Sequence, residues 1–138
     1  MKVRGGGCLC GAVRYEVSGE PTSACYCHCR ICQRAAGAPV VAWAGFAGGR
    51  FRLVSGTPTI FTSSRMAERG FCARCGTTLT FRYTTPGCQG EIHIAVASLD
   101  EPDEIAPGYH IWTDSRPAWF DTADSLPRHA GEETAEQA

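Results

Sequence analysis

The stretch ACYCHCRICQRAAG, residues 24–37, places Cys25, Cys27, Cys29 and Cys32 close together. Thiols at that density form disulfides, hold a metal or act as a reactive centre. Two further pairs share the chain: Cys8 and Cys10 in GGGCLCG, and Cys72 and Cys75 in FCARCGTTL. Cys72 and Cys75 have the C-x-x-C spacing of a zinc knuckle, in which a tight turn aims both thiolates at one ion and Gly76 lets the backbone bend beneath it. A tetrahedral structural zinc needs four ligands, so a second pair must come from elsewhere, and Cys8 and Cys10 are the natural donors. Joining segments about sixty residues apart cross-links the domain and adds metal-binding free energy to folding. A redox-active C-x-x-C needs a thioredoxin-like βαβ context, which this chain lacks. A Cys8–Cys10 disulfide is strained by geometry.

With those four assigned, Cys27, Cys29 and Cys32 remain as a three-ligand set. Three protein ligands and one open position are the pattern of a catalytic zinc. Three thiolates on Zn2+ leave a net charge of −1, which suits binding and activating a thiol. The same spacing equally allows a second structural site, closed by Cys25, Cys88 or a histidine. His28 lies between two proposed ligands, so its side chain is expected to point away from the metal, at the surface or behind the ligands. His93 falls on the strand face opposite Ile92 and Ile94. His110, in an aromatic loop, is the better pocket residue, and His129 sits in a polar tail. Arg30, Arg34 and Arg116 are candidates to meet substrate carboxylates. Trp43 is expected in the core, and Trp112 and Trp119 are candidate pocket walls.

The 138 residues carry 13 basic and 14 acidic side chains, a formal net charge of −1. One domain is expected, with no polyanion partner such as nucleic acid. No apolar run is long enough for a membrane span. The N-terminus has no apolar segment after its charges, which points away from a secretory signal and toward the cytoplasm. In that reducing compartment nine cysteines favour metal ligation over disulfides.

The elements that must position these thiols read as mostly β. GAVRYEVSG alternates Val13, Tyr15 and Val17 against polar residues. PVVAWAGF, TLTFRYTTPG and EIHIAVASLD read as strands, and FRLVSG and TIFTSS as two strands around the turn SGTP. Residues 29–36 lean helical and end at Gly37, a C-cap. The fold class is mainly β, an open or barrel-like set of short antiparallel strands. Residues 1–122 form the single domain, and the polar, acidic tail 123–138 is expected to be disordered.

The ordered motifs GGCLCGAVRYEV, CHCRICQRAAGAPVVAW, FRLVSGTPTIFTSS, RGFCARCGTTLTFRY, ASLDEPD and HIWTDSRPAWF resemble the glutathione-dependent formaldehyde-activating enzyme family, which includes the centromere protein V group. The resemblance runs from residue 5 to about 121. It implies a zinc-bearing β-tent fold, similar to Rab-binding zinc chaperones and type B methionine sulfoxide reductases. It implies a structural zinc on Cys8, Cys10, Cys72 and Cys75, and a second zinc on Cys27, Cys29 and Cys32. The implied activity is that of a carbon–sulfur lyase, adding glutathione to formaldehyde to give S-hydroxymethylglutathione. The alternative is a non-catalytic zinc module that binds a protein partner, since fold does not set function.

Overall fold

The computed structural model describes residues 1–87 and 90–132. Among them ten strands form, in chain order β1 (Val3–Gly7), β2 (Arg14–Ser18), β3 (Ser23–Cys27), β4 (Val41–Ala47), β5 (Phe51–Ser55), β6 (Thr59–Ser64), β7 (Ala67–Phe71), β8 (Thr78–Tyr83), β9 (Glu91–Ala95) and β10 (His110–Ile111). One α-helix, α1 (Arg30–Ala36), lies between β3 and β4. The architecture is mainly β, as expected. A three-stranded sheet runs β1-β2-β5 and a seven-stranded sheet runs β10-β3-β4-β9-β8-β7-β6. Pairing is antiparallel throughout, except that β10 lies parallel to β3.

Period-two patterning explains the core. In β2, Tyr15 and Val17 are buried and their neighbours stay half-exposed. They meet Phe46 of β4, Leu79 of β8 and Ile94 of β9, with Val96, Leu99 and Ile105 from the following loops. Each such side chain stabilises the fold by roughly 1.5–3 kcal/mol through burial. A second apolar cluster joins Cys25, Cys27 and Cys32 to Val41, Trp43 and Ala95, so Trp43 is a core residue.

β1 has no apolar alternation, because its glycines serve a close approach. A Cβ on Gly6 would lie 2.5 Å from the Tyr15 ring and 2.8 Å from the Ser98 carbonyl oxygen. Bare backbone at that position lets β1 lie against Tyr15, whose hydroxyl is 2.6 Å from the Ser98 Oγ.

FRLVS and TIFTSS form strands, but not with each other. β5 pairs with β2 in the small sheet, and β6 pairs with β7 in the large one. The turn between them crosses from one sheet to the other. The chain after residue 122, expected to be disordered, is tied down as far as residue 132. His129 N–H donates to the His110 carbonyl and Trp112 N–H to that of Gly131. The Tyr83 hydroxyl donates to Glu132 at 2.6 Å. Backbone pairing with β10 supplies an order that its polar composition hides. Residues 133–138 of that tail lie outside the described residues. Among the described residues no helix is long and apolar enough to cross a membrane.

Candidate metal centres

The first centre is built by two tight turns. After β1, Cys8 N–H donates to Val13 O at 3.0 Å and Gly11 N–H returns to Cys8 O at 3.1 Å. After β7, Cys72 N–H donates to Thr77 O at 3.0 Å and Gly76 N–H to Cys72 O at 2.7 Å. Gly76 has φ +79°, a left-handed conformation that a side chain would disfavour. The turns face each other, bridged by the Leu9 N–H donating to Thr77 Oγ1 at 3.0 Å. The Sγ atoms of Cys8, Cys10, Cys72 and Cys75 all lie within 4.8 Å of one another. Cys8 and Cys10 are 3.7 Å apart and Cys10 and Cys72 are 3.8 Å apart. Four sulfurs at tetrahedral Zn–S distances of about 2.3 Å stand about 3.8 Å from each other. The donor set and its spacing therefore fit one tetrahedral ion. Backbone donation from Val13 lowers the Cys8 thiol pKa. Hydrogen bonding by Thr77 holds the Cys75 thiol down to about 5, so both are biased toward the thiolate a metal requires.

The second centre is local. Cys27 ends β3, Cys29 is the N-cap of α1 and Cys32 lies in the first turn of that helix. Cys29 Sγ accepts from the Cys32 N–H at 3.2 Å, which replaces the usual capping hydroxyl. The helix ends at Gly37 in the left-handed region, φ 64°. The three Sγ atoms lie within 4.8 Å of one another. Cys25 is buried on the same side of β3 but stands outside that group. Cys88 lies outside the described residues. Three thiols thus converge with no fourth Cys, His or carboxylate among the described residues. Both groups could hold a metal ion, and all-thiol donors are compatible with zinc.

Arg69 of β7, which its residue type hides from sequence reading, reaches this centre. It is 7 % exposed. Its Nη1 and Nη2 both lie 3.5 Å from Cys32 Sγ, and its guanidinium carbon stands 4.9 Å above the Phe81 ring. Hydrogen bonds from Cys27 and Cys29, and then the Arg69 charge, pull the Cys32 thiol far below its ordinary range. Cys27 moves the opposite way, because Cys29, Cys32 and burial all disfavour its charge. No local pattern points to Arg69, because Glu68, Arg69 and Gly70 interrupt any apolar alternation in this strand.

His28 is not at the surface. It is fully buried, with Nε2 2.8 Å from Nδ1 of the equally buried His110. His110 Nε2 lies 3.0 Å from Asp124 Oδ1. The carboxylate only accepts, so His110 Nε2 carries the proton and its Nδ1 accepts from His28. His28 Nδ1 is then a bare acceptor, and it has no partner among the described residues. Burial, and then His110, lowers the His28 pKa. Gln33, on α1, donates to the His28 and Ser115 carbonyls at 2.6 and 3.1 Å. Helix, cysteine loop and C-terminal strap are thereby joined.

The other candidates separate. His93 packs on Phe81 and Tyr83, and His129 edges onto Tyr109. Arg116 is spent on the Pro117 and Phe120 carbonyls and faces Asp121. Arg30 and Arg34 line a cleft of about 380 Å³ with Gln33, Pro39, Pro117 and Trp119. Trp112 is partly exposed, with its backbone held at φ 58°.

Residues 3–115 match the family described as glutathione-dependent formaldehyde-activating enzyme. An uncharacterized lyase of Schizosaccharomyces pombe is 39% identical over 82 residues, covering 57% of this chain and 57% of the relative. The chain thus spans just over half the length of that relative. A crystal structure of a Rhodobacter sphaeroides protein superposes with a TM-score of 0.57 at 29% identity, over 70% of this chain and 87% of that one. With two converging thiol groups inside the matched region, this chain belongs to the glutathione-dependent formaldehyde-activating enzyme family.

Proposed function

We propose that this chain is a zinc-dependent enzyme of the carbon–sulfur lyase type, acting on the adduct of a thiol with a small carbonyl compound. The observation that carries this reading is the second centre. Three thiols converge there, and among the described residues no further Cys, His, Asp or Glu joins the group. The family match and the lyase name of the yeast relative support it.

The reaction is addition of a thiol to an aldehyde, as in glutathione plus formaldehyde giving S-hydroxymethylglutathione. The thiolate sulfur attacks the carbonyl carbon and an S–C bond forms. The C=O π pair moves to oxygen, which takes up the proton the thiol lost; the reverse step breaks the S–C bond. Zinc held by Cys27, Cys29 and Cys32 would favour the thiolate form of an incoming thiol by binding its sulfur. The residues around it define the rest. The apolar wall of Val41, Trp43 and Ala95 limits water on the buried side. The cleft beside α1, whose lining includes none of the three cysteines, carries Arg30 and Arg34, whose guanidinium groups suit the carboxylates of a peptide-like thiol such as glutathione. The first centre, on Cys8, Cys10, Cys72 and Cys75, is structural in this reading.

The test is zinc per chain on reduced protein, with and without glutathione, together with X-ray absorption at the zinc edge. Two zincs are expected. One has four sulfurs; the other has three sulfurs and a lighter ligand that glutathione replaces with sulfur. One zinc with four sulfurs, indifferent to glutathione, overturns the reading in favour of a zinc module that binds a protein partner.

A further inference from the structure

We propose that Arg69 is the built-in counter-cation of the three-cysteine centre and selects a thiolate, rather than a neutral ligand, for its fourth position. The inference rests on the reading above that Cys27, Cys29 and Cys32 hold a divalent metal.

Arg69 is placed for this and for little else. Its side chain crosses from β7 into the second apolar cluster, where both terminal nitrogens meet Cys32 Sγ at 3.5 Å. Its Nε is buried with no hydrogen-bond partner. Among the described residues no carboxylate lies within ion-pair distance of it. A guanidinium so far from water is costly unless a negative charge faces it. The charge available is the thiolate group. The face of Phe81, 4.9 Å from the guanidinium carbon, supplies the remaining favourable contact.

The charge balance then sets what enters. A divalent ion on three thiolates carries −1, and a fourth thiolate raises that to −2. A buried double negative charge is strongly disfavoured. With Arg69 in contact the same states carry 0 and −1. Arg69 therefore lowers the cost of admitting an anion and does nothing for a neutral ligand. Its N–H bonds also withdraw electron density from Cys32, which leaves the metal better able to hold the incoming sulfur. Arg69 touches a ligand rather than the substrate, so it is a positioning residue.

The experiment uses the full chain loaded with cobalt(II), whose absorption reports sulfur ligation. The wild type, Arg69→Met and Arg69→Lys are titrated with 2-mercaptoethanol as the thiolate probe and imidazole as the neutral probe. For Arg69→Met, affinity for 2-mercaptoethanol is expected to fall about 10- to 100-fold, the usual range for losing a partner behind a metal ligand. Imidazole affinity should stay within about twofold, and Arg69→Lys should restore most of the thiolate preference. Loss of the second cobalt in Arg69→Met, recovered in Arg69→Lys, also supports the proposal. Equal loss of both probes, no change in either, or no recovery with lysine overturns it by reducing Arg69 to packing. If Arg69→Met does not fold, Arg69→Gln carries the same comparison. A wild type that binds one cobalt per chain, with the triplet empty, defeats the metal reading itself and the proposal with it; that result is visible before any variant is made.

Discussion

Replacing Cys72 with serine removes one of the four thiols that join the turn after β1 to the turn after β7. Structural zinc contributes about 10–16 kcal/mol in small zinc domains. That is as large as the whole stability of an ordinary domain, about 5–15 kcal/mol. Cys72→Ser is therefore expected to yield no soluble, folded protein, checked by circular dichroism and metal analysis. Cys29→Ser is expected to behave differently. Serine is a good N-cap, so the bond from the Cys32 N–H that Cys29 Sγ now accepts survives in kind. A folded protein with about one metal fewer is the expected outcome by elemental analysis, and an unchanged metal content would mean that the triplet is not a site. At this scale the cysteines were legible, because spacing constrains where a short loop can aim two thiols. Arg69 was not legible, since arginine in a sequence reads as surface until a strand turns it inward. Of the two places expected for His28, its burial excludes the surface, while its absence from the three-thiol group agrees with a side chain turned away from those ligands. Its partner His110 is 82 residues away, beyond the reach of local pattern.

Among the elements, β2, β8 and β9 stood out in the sequence by alternating apolar residues, and β4 by its valine and aromatic content. β1 and β7 did not. β7 carries Glu68, Arg69 and Gly70, and β1 carries three glycines, so neither shows a hydrophobic period. For β1 the reason is steric, and Gly6→Val tests it. The new side chain would overlap the Tyr15 ring and the Ser98 carbonyl. The expected loss is about 1–3 kcal/mol at least, typical of overpacking, read as a lowered denaturant midpoint. An unchanged midpoint would show that β1 can lift away from Tyr15 at no cost.

Across the whole molecule, the pairing of distant segments was the hardest thing to read. The cysteine pairs predicted one such closure, between residues near 8 and residues near 75. The crossing of the chain from β5 to β6 between sheets carried no local signal, and neither did the return of the tail to β10. Asp124 anchors that return. The Thr122 hydroxyl, and then His110, hold its carboxyl well below the usual carboxylate range. A depressed folded value means that the ionised group stabilises the fold above the unfolded carboxyl pKa, about 3.9. That contribution is lost as pH falls through the lower folded value. Asp124→Asn should therefore melt below the wild type at pH 7, and the gap should close as acid protonates Asp124. Taking the difference between the two proteins cancels the acid lability of the metal centres they share. A gap that stays constant from pH 7 to pH 3 would show that the carboxylate charge plays no part.

The two centres also differ in how much chain each must enclose. Cys27 to Cys32 is a span of five residues, whereas Cys10 and Cys72 are separated by 62. Loop-closure entropy, scaling as (3/2)RT ln n, disfavours the wider ring by roughly 2 kcal/mol in an unfolded chain. During synthesis the three-thiol group is complete before Cys72 has been added. If both groups bind a metal, a growing polypeptide meets its first ion at the three-thiol group, and the four-thiol group closes only with the fold. Under metal scarcity the three-thiol group would then draw on the supply before the four-thiol group that ties the fold together.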